Sequence, residues 1–339
     1  MGIDISDLVE AKPCTLKDLK SRTIAIDGYN ALYQFLSSIR QADGTPLMDS
    51  RGRITSHLTG TFHRTASLLE VGIKPVYVFD GKPNPMKSST LADRRQRKEK
   101  AQAQWDEALE MGDMETARTK AQQTSRLTRD MVGQAKELLE HMGVPWVDAP
   151  EEGEAQASYM AGKGEVYAAA SQDFDSLLFG APILVRNMTL SGRRKMPRRN
   201  VYIDVVPEIL TLSDTLAALG ITREQLVDIG VLMGTDFNPG VKGIGPKKAL
   251  MLIKEHGSGE AAISEKKLDV PGFHNIRKIF LEPNVTDKYT LEWKSMDREK
   301  VEDLLCNEFE FSSQRLQSTM DKISVGQKAR AQKSLDSWF

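Results

Sequence analysis

The chain has 339 residues, 40% of them hydrophobic. That supports a real core and, at a rough prior of ~150 residues each, about two domains. Lys and Arg total 46 against 47 Asp and Glu, so net charge alone does not indicate nucleic-acid binding, and the placement of the two signs matters more. Cys14 and Cys306 lie far apart without metal-ligand spacing. No apolar run approaches the ~20 residues of a membrane span, and no apolar signal-peptide core opens the chain. A membrane protein is excluded and reduced intracellular thiols are expected.

From the N-terminus, Met1-Gly2-Ile3-Asp4-Ile5-Ser6 fits the loose myristoylation pattern. No polybasic patch or second lipid signal follows, so stable anchoring is not expected. Short apolar runs then recur, each leading to acids. Thr23-Ile24-Ala25-Ile26 meets Asp27, and Pro75-Val76-Tyr77-Val78-Phe79 meets Asp80. Val144 to Val147 leads to Asp148, Glu152 and Glu154, and Val166-Tyr167-Ala168-Ala169-Ala170 leads to Asp173 and Asp175. Each has the length and composition of a buried strand. Helical patterns fall between them, near 30–41, 54–71, 129–141 and 153–162, with Gly72 and Gly143 placed as C-caps. Strand alternating with helix predicts an α/β fold with a mostly parallel central sheet.

The stretch 82–128 is poor in branched aliphatics, and Arg94, Arg95, Arg97, Lys98 and Lys100 are nearly continuous. High helix propensity with a weak burying face predicts an exposed, mobile helical insertion. Arg193-Arg194-Lys195 with Arg198 and Arg199 reads as an exposed basic loop. From about 204 the strand signal fades and helices dominate. From about Gly326 the tail is polar until Leu335, Trp338 and Phe339, which predicts disorder ending in an apolar hook.

Seven acids share one arrangement: Asp27, Asp80, Glu152, Glu154, Asp173, Asp175 and Asp236. Ligands of open parallel sheets bind at the strand C-terminal edge, where most of these acids fall. An acid after a strand is often a helix N-cap. Four acid-bearing segments converging at one edge are harder to explain that way. Such a cluster cannot all ionise without cations, and hard oxygen ligands favour Mg²⁺ or Mn²⁺. A pair of those ions suits in-line phosphoryl displacement.

Gly243-Ile244-Gly245-Pro246-Lys247-Lys248-Ala249 lies between helical patterns near 223–233 and 246–256. Glycines admit a phosphate to backbone N–H groups, Pro246 suits a first helical turn, and Lys242, Lys247 and Lys248 add charge. The string suits contact with a DNA backbone without base reading. An ordinary helix–turn–helix connection is the alternative.

Eight strings then show a family likeness: MGIDISDL, IAIDGYNALYQFL, SHLTGTFHRT, GIKPVYVFDGKP, APEEGEAQAS, VYAAASQDFDSLLFG, MGTDFNPGVKGIGPKKA and QKSLDSWF. Together they span nearly the whole chain, with only 97–128 and 256–325 matching loosely. The chain resembles the flap endonucleases, the structure-specific 5′ nucleases of replication and repair.

The resemblance implies a PIN-like nuclease core over 1–203, with the insertion 82–128 as a helical arch that a 5′ flap threads. It implies a helical region over 204–325, with its DNA-binding turn around 223–256, and a flexible tail over 326–339. The seven carboxylates would hold two Mg²⁺ ions, with Mn²⁺ able to substitute. Lys87 and Arg94 would reach the scissile phosphate as catalytic cations. Tyr33 would stack on the base beside the cut, its alternative being core packing. Gly2, N-terminal after removal of Met1, would lie near the active site. Thr55 would belong to a pocket for a one-nucleotide 3′ flap. Gly243, Gly245, Lys247 and Lys248 would contact duplex DNA, with K⁺ held nearby.

Gln332, Leu335, Trp338 and Phe339 would dock on the sliding clamp, proliferating cell nuclear antigen. The implied protein is a monomer acting on branched DNA with a 5′ flap, without a membrane partner. Eukaryotic members usually continue past the clamp motif into a basic nuclear signal, so an archaeal-type, cytoplasmic member is expected.

Other functions share parts of this pattern. A sibling nuclease acting on bubbles, ends or four-way junctions would carry the same metal centre, although the arch length and the clamp motif favour a flap. A non-catalytic DNA scaffold has no need of seven repelling acids. A small-molecule phosphatase would leave the glycine hairpin and basic insertion without purpose.

Overall fold

The computed structural model of the protein describes residues 2–189, 193–195 and 202–336. Among them the strands are β1 (Lys12–Pro13), β2 (Thr23–Asp27), β3 (Lys74–Phe79), β4 (Trp146–Asp148), β5 (Ala168–Ala170), β6 (Ile183–Arg186), β7 (Arg193–Lys195), β8 (Tyr202–Asp204) and β9 (Glu208–Thr211). The helices are α1 (Gly28–Ser38), α2 (Ser56–Val71), α3 (Ser88–Glu110), α4 (Met114–Ala121), α5 (Arg129–His141), α6 (Gly153–Gly162) and α7 (Asp175–Leu178). They continue with α8 (Leu212–Leu219), α9 (Arg223–Met233), α10 (Pro246–His256), α11 (Gly259–Lys266), α12 (Phe273–Leu281), α13 (Arg298–Glu302) and α14 (Ser313–Asp336).

Seven strands make one sheet in the order β1-β9-β6-β5-β2-β3-β4. The run from β6 to β4 is parallel, with Asp27 opposite Val78 and Ile26 opposite Ala170. Within this sheet, among the described residues, β9 and β1 add antiparallel pairings on the β6 side. The four acid-terminated runs are β2, β3, β4 and β5, and they lie side by side. Alternate residues bury on opposite faces, as the two-residue period of a strand dictates. Ile24, Ile26, Tyr77 and Phe79 join a core with α1, α2 and α5. Ala25, Val76 and Val78 join Met160 and Ala161 of α6. A separate core gathers Ile3 and Ile5 with α7 and α9 to α12.

The chain then returns to where it began. The 284–296 segment carries Tyr289, Leu291 and Trp293 onto the α6 face of the sheet, and Trp293 Nε1 donates to the Pro75 carbonyl at 2.8 Å. Val301, Leu305, Phe309, Leu316 and Met320 pack into the α2 side of the core.

Several expectations change in detail. The basic run at 193–195 is not a loop but a strand, β7, paired antiparallel with β8; 196–201 lie outside the described residues. A two-stranded ladder is held by main-chain bonds and needs no apolar alternation. The segment from about 326 continues α14 as far as Asp336. Its Gln, Lys, Ala and Arg residues are good helix formers despite their polarity. β9 joins the sheet beyond the point where the strand signal fades, and β1, with two residues, is too short to leave a pattern. Gly72 caps α2 at φ 97°, whereas α5 is capped by Met142, with Gly143 one residue beyond at φ 70°. Cys14 and Cys306 are unpaired.

The 82–128 insertion is helical, as expected, and its buried side is made of small residues. Ala101, Ala108, Ala117 and Ala121 are buried, and Trp105 Nε1 reaches the Asp43 carbonyl at 3.3 Å. Alanines barely register as an apolar stripe, yet they let helix backbones approach closely.

Candidate active site

The parallel strands deliver the acids to one edge. Asp27 ends β2 and caps α1, its Oδ1 accepting the Asn30 N–H at 3.0 Å. Asp80 follows β3 and accepts the Gly153 N–H at 2.7 Å, joining two acid-bearing turns. Glu152 is the N-cap residue of α6 and Glu154 lies in its first turn. Asp173 and Asp175 follow β5. Asp175 accepts the Ile3 N–H at 2.8 Å, and Asn30 Nδ2 stands 3.5 Å from Asp173 Oδ2. Asp236 arrives from the turn after α9. Capping and site-building are therefore one geometry at Asp27, not rival explanations.

Two cations enter this edge from the foot of the insertion. Lys87 Nζ bonds Glu152 closely and lies 3.5 Å from Asp236 Oδ2. Arg94 Nη2 stands 2.6 Å from Asp236 Oδ1. The Lys87 side chain is only 15% exposed, a burial that a lysine tolerates only when paired.

The charges explain one another. Burial first, then the Asp80 and Asp173 charges, hold the Asp27 carboxyl well above the usual carboxylate range. Burial and the neighbouring Asp175, Asp27 and Asp173 do the same to Glu154. Asp175 is pushed up to about 7 by burial and by Asp173. Burial also raises Asp80 and Glu152, against the pull of Lys87. Burial works to raise Asp236 too, but the Arg94 and Lys87 charges outweigh it and the carboxyl lies low. Burial would lower the Lys87 ammonium; Glu152, Asp236 and Asp80 reverse that and raise it.

An all-oxygen donor set with mutually repelling charge fits a hard divalent cation. Among the described residues, though, no group of three or more acid, histidine or cysteine side chains is spaced to hold a metal ion as it stands. Lys87 and Arg94 instead serve as counter-ions within the cluster.

The remaining site residues fall at several distances from this edge. Gly2 abuts it: a Cβ there would stand 2.6 Å from Asp173 Cβ and 2.9 Å from Asp175 Cγ. Tyr33 is 39% exposed on α1, so it is not core packing, and Lys98 Nζ of α3 lies 4.7 Å from its ring centroid. Thr55 is buried at the head of α2, its N–H donating to the Leu47 carbonyl at 2.8 Å, and takes no part in the carboxylate cluster. In the hairpin, Gly243 adopts φ 81° and Ile244 is buried, while Gly243, Gly245, Lys242, Lys247 and Lys248 are exposed. Gly245 caps α10 without a side chain, leaving the first-turn N–H groups uncapped. Gln332 and Leu335 lie on the backbone of α14, whereas Trp338 and Phe339 lie outside the described residues.

Sequence reasoning missed Asn30 and Phe237, whose ring centroid lies 5.1 Å from Lys87 Nζ. Asn30 had a signal, since it stands three residues after a capping aspartate. Phe237 had none beyond adjacency to Asp236.

Models of two families match the chain: the XPG N-terminal domain over residues 3–101 and the XPG I-region over 143–236. Flap endonuclease 1 of Pyrococcus abyssi is 51% identical over 340 residues, spanning 100% of this chain and 98% of that protein. The structure of flap endonuclease-1 from Methanococcus jannaschii superposes with a TM-score of 0.78 at 42% identity, covering 97% and 100% of the two chains. The catalytic core of Rad2, solved with a DNA substrate, shares the fold at 23% identity and a TM-score of 0.67, covering 92% and 96%. Likeness that deep, carried from end to end, assigns the chain to the flap endonuclease family of metal-dependent nucleases acting on DNA phosphodiesters.

Proposed function

We propose that the protein is a structure-specific 5′ flap endonuclease and 5′–3′ exonuclease of DNA replication and repair, cutting near the flap junction with two Mg²⁺ ions. The observation that carries this reading is the meeting of acid-bearing turns from four parallel strands, together with Asp236, around Lys87 and Arg94. Asp27, Asp80, Glu152, Glu154, Asp173, Asp175 and Asp236 would hold the ions, with Mn²⁺ able to replace Mg²⁺. Such ions supply an activated water and charge compensation for in-line displacement at phosphorus.

The chain's own groups do the rest. Lys87 and Arg94 offer donors to the phosphate oxygens on which charge grows. Tyr33 presents a ring for the base beside the cut, and Gly2 leaves room at Asp173. The α3–α4 arch passes the flap. The hairpin grips the duplex backbone through the Gly243–Gly245 turn, the open N-terminus of α10, Lys247 and Lys248. A K⁺ ion at that turn would steady the contact, so replacing K⁺ by Li⁺ at constant ionic strength should weaken duplex binding. Thr55 and its neighbours would take the 3′ flap. In this division of labour 1–203 cuts, 204–325 grips duplex and 326–339 recruits.

The recruiting hook is Gln332, Leu335, Trp338 and Phe339, offered to the sliding clamp. Deleting 332–339 should leave basal cleavage intact and remove stimulation by the clamp; retained stimulation would place the dock elsewhere. A site assembled within one chain supports action as a monomer, which sedimentation would check, and the absence of a spanning helix among the described residues is compatible with a cytoplasmic setting.

The deciding experiment is single-turnover cleavage of a 5′-labelled double-flap DNA in Mg²⁺, beside a bubble and a four-way junction. One cut just inside the flap junction, lost with EDTA, is expected. Cutting only the other substrates would make the protein a sibling nuclease, and binding without cutting would make it a scaffold. On the same substrate Lys87→Ala should lower the rate by about 10²-fold, the usual cost of one transition-state donor, with affinity nearly unchanged; an unaltered rate would remove Lys87 from the chemistry.

A further inference from the structure

Besides Asp148, which ends β4 and pairs with Lys136, a second acid at the edge stands outside the carboxylate cluster. Glu151, next to Glu152, accepts from Asn84 Nδ2 at 3.1 Å through Oε2 and from Asn284 Nδ2 at 3.1 Å through Oε1. Its main-chain oxygen accepts from Gly81 N at 2.7 Å. These donors come from two segments: the foot of the arch, and the strap that follows α12.

Asn84 shapes the turn that delivers Lys87. Its Oδ1 accepts from Met86 N at 3.0 Å and its main-chain oxygen accepts from Lys87 N at 3.0 Å. On the other side, Asn284 begins a run of bonds along α6. Thr286 and Gln156 exchange two, both 2.9 Å, and Asp287 accepts from Tyr159 and from Lys163. The far end of that strap is α12, whose Phe273, Ile276 and Phe280 share a core with α9 and α10, the helices flanking the hairpin. A cavity of about 300 Å³, lined by Asn84, Met86, Glu151, Glu152, Lys278 and Asn284 among others, separates α12 from the arch foot. Met86 packs against the core that α12 shares, and the side-chain node adds a polar tie across the rest of that gap.

We infer that Glu151 is a positioning residue that ties the strap from the duplex-gripping helices to the arch foot, and so holds Lys87 at the carboxylate edge. The inference rests on the flap-nuclease reading above. Asn284 is exposed and Glu151 half-buried, so water replaces a lost partner and the fold survives substitution. Placement does not survive as well, because a displacement of about 1 Å costs up to ~10²-fold in rate.

The test is a mutant cycle read by single-turnover flap cleavage at saturating enzyme, by the Kd for the same flap and by thermal unfolding. Glu151→Ala should cut about tenfold more slowly, with Kd within about twofold and Tm within about 2 °C. Glu151→Gln keeps a carbonyl acceptor for Asn84 and should recover most of the rate. Asn284→Ala should lose about threefold alone and nothing further in the Glu151→Ala background, since both act through one node. A wild-type rate in Glu151→Ala, rate and affinity falling together, or losses that multiply would each overturn the inference. Wild-type protein that cuts no flap would overturn the flap reading itself, and with it this inference, so the wild-type reaction tells the two failures apart.

Discussion

Gly2 matters through the side chain it lacks. The space that a Cβ would fill is taken by Asp173 and Asp175, and the next residue, Ile3, donates its N–H to Asp175. Gly2→Ala should displace one or both carboxylates and slow single-turnover cleavage by about tenfold or more, with duplex affinity within about twofold. A wild-type rate would show that the N-terminus yields and the acids do not. Six of the acids were legible because each comes soon after a strand that ends at the edge, whereas Asp236 follows helix α9. Gln156 was not legible: its two bonds to Thr286 join residues 130 positions apart, and no local pattern encodes such a partner.

Elements were legible where periodicity was long. α5, α6, α9 and α10 occupy the expected ranges, each at least two turns with a clear start signal. α1 begins at Gly28, earlier than expected, because Asp27 serves as strand end and helix cap at once. It stops at Ser38, ahead of the turn closed by the Arg40–Pro46 bridge. The arch holds together by a seam of alanines, of which Ala117 is fully buried. Ala117→Asp would bury an unpaired charge there, at a cost of several kcal/mol. Flap cleavage should fall about tenfold or more while Tm of the sheet core moves by less than about 3 °C. Protease cuts appearing within 88–124 would confirm local loss of the arch; unchanged cleavage would mean that the arch need not be folded.

At the scale of the molecule, the site is shared among distant segments. The sheet supplies six acids, the helical region supplies Asp236, and the insertion supplies both cations, so on the proposed reading folding must bring all three together before cleavage. A pH dependence belongs to the same scale. His57, buried under α5, has Nε2 2.8 Å from Gln134 Oε1 and no partner for Nδ1 among the described residues. Burial pushes its imidazole down to about 4. Between about 6.5 and about 4 the unfolded chain holds a proton that the folded chain does not, so stability falls as pH falls through that window and this group adds no further loss below it. The loss is up to about 3 kcal/mol. Urea unfolding of wild type and His57→Gln at pH 7 and pH 5 should show a steeper acid loss in wild type; equal slopes would mean that His57 is solvated.

The sequence by itself determined the parallel strands, the acids that end them, the helices of clear period and the glycine hairpin. Each of these is set by neighbours within a few residues, through side-chain period, capping and turn chemistry. Tertiary structure alone decided which charges meet. It set Lys87 against Glu152 and Asp236, raised some carboxyls and lowered Asp236, placed β9 inside the sheet and routed the strap onto α6. Those outcomes depend on burial and on distances between segments far apart in the chain, and electrostatic and hydrogen-bond partners follow distance in space, which no local pattern records.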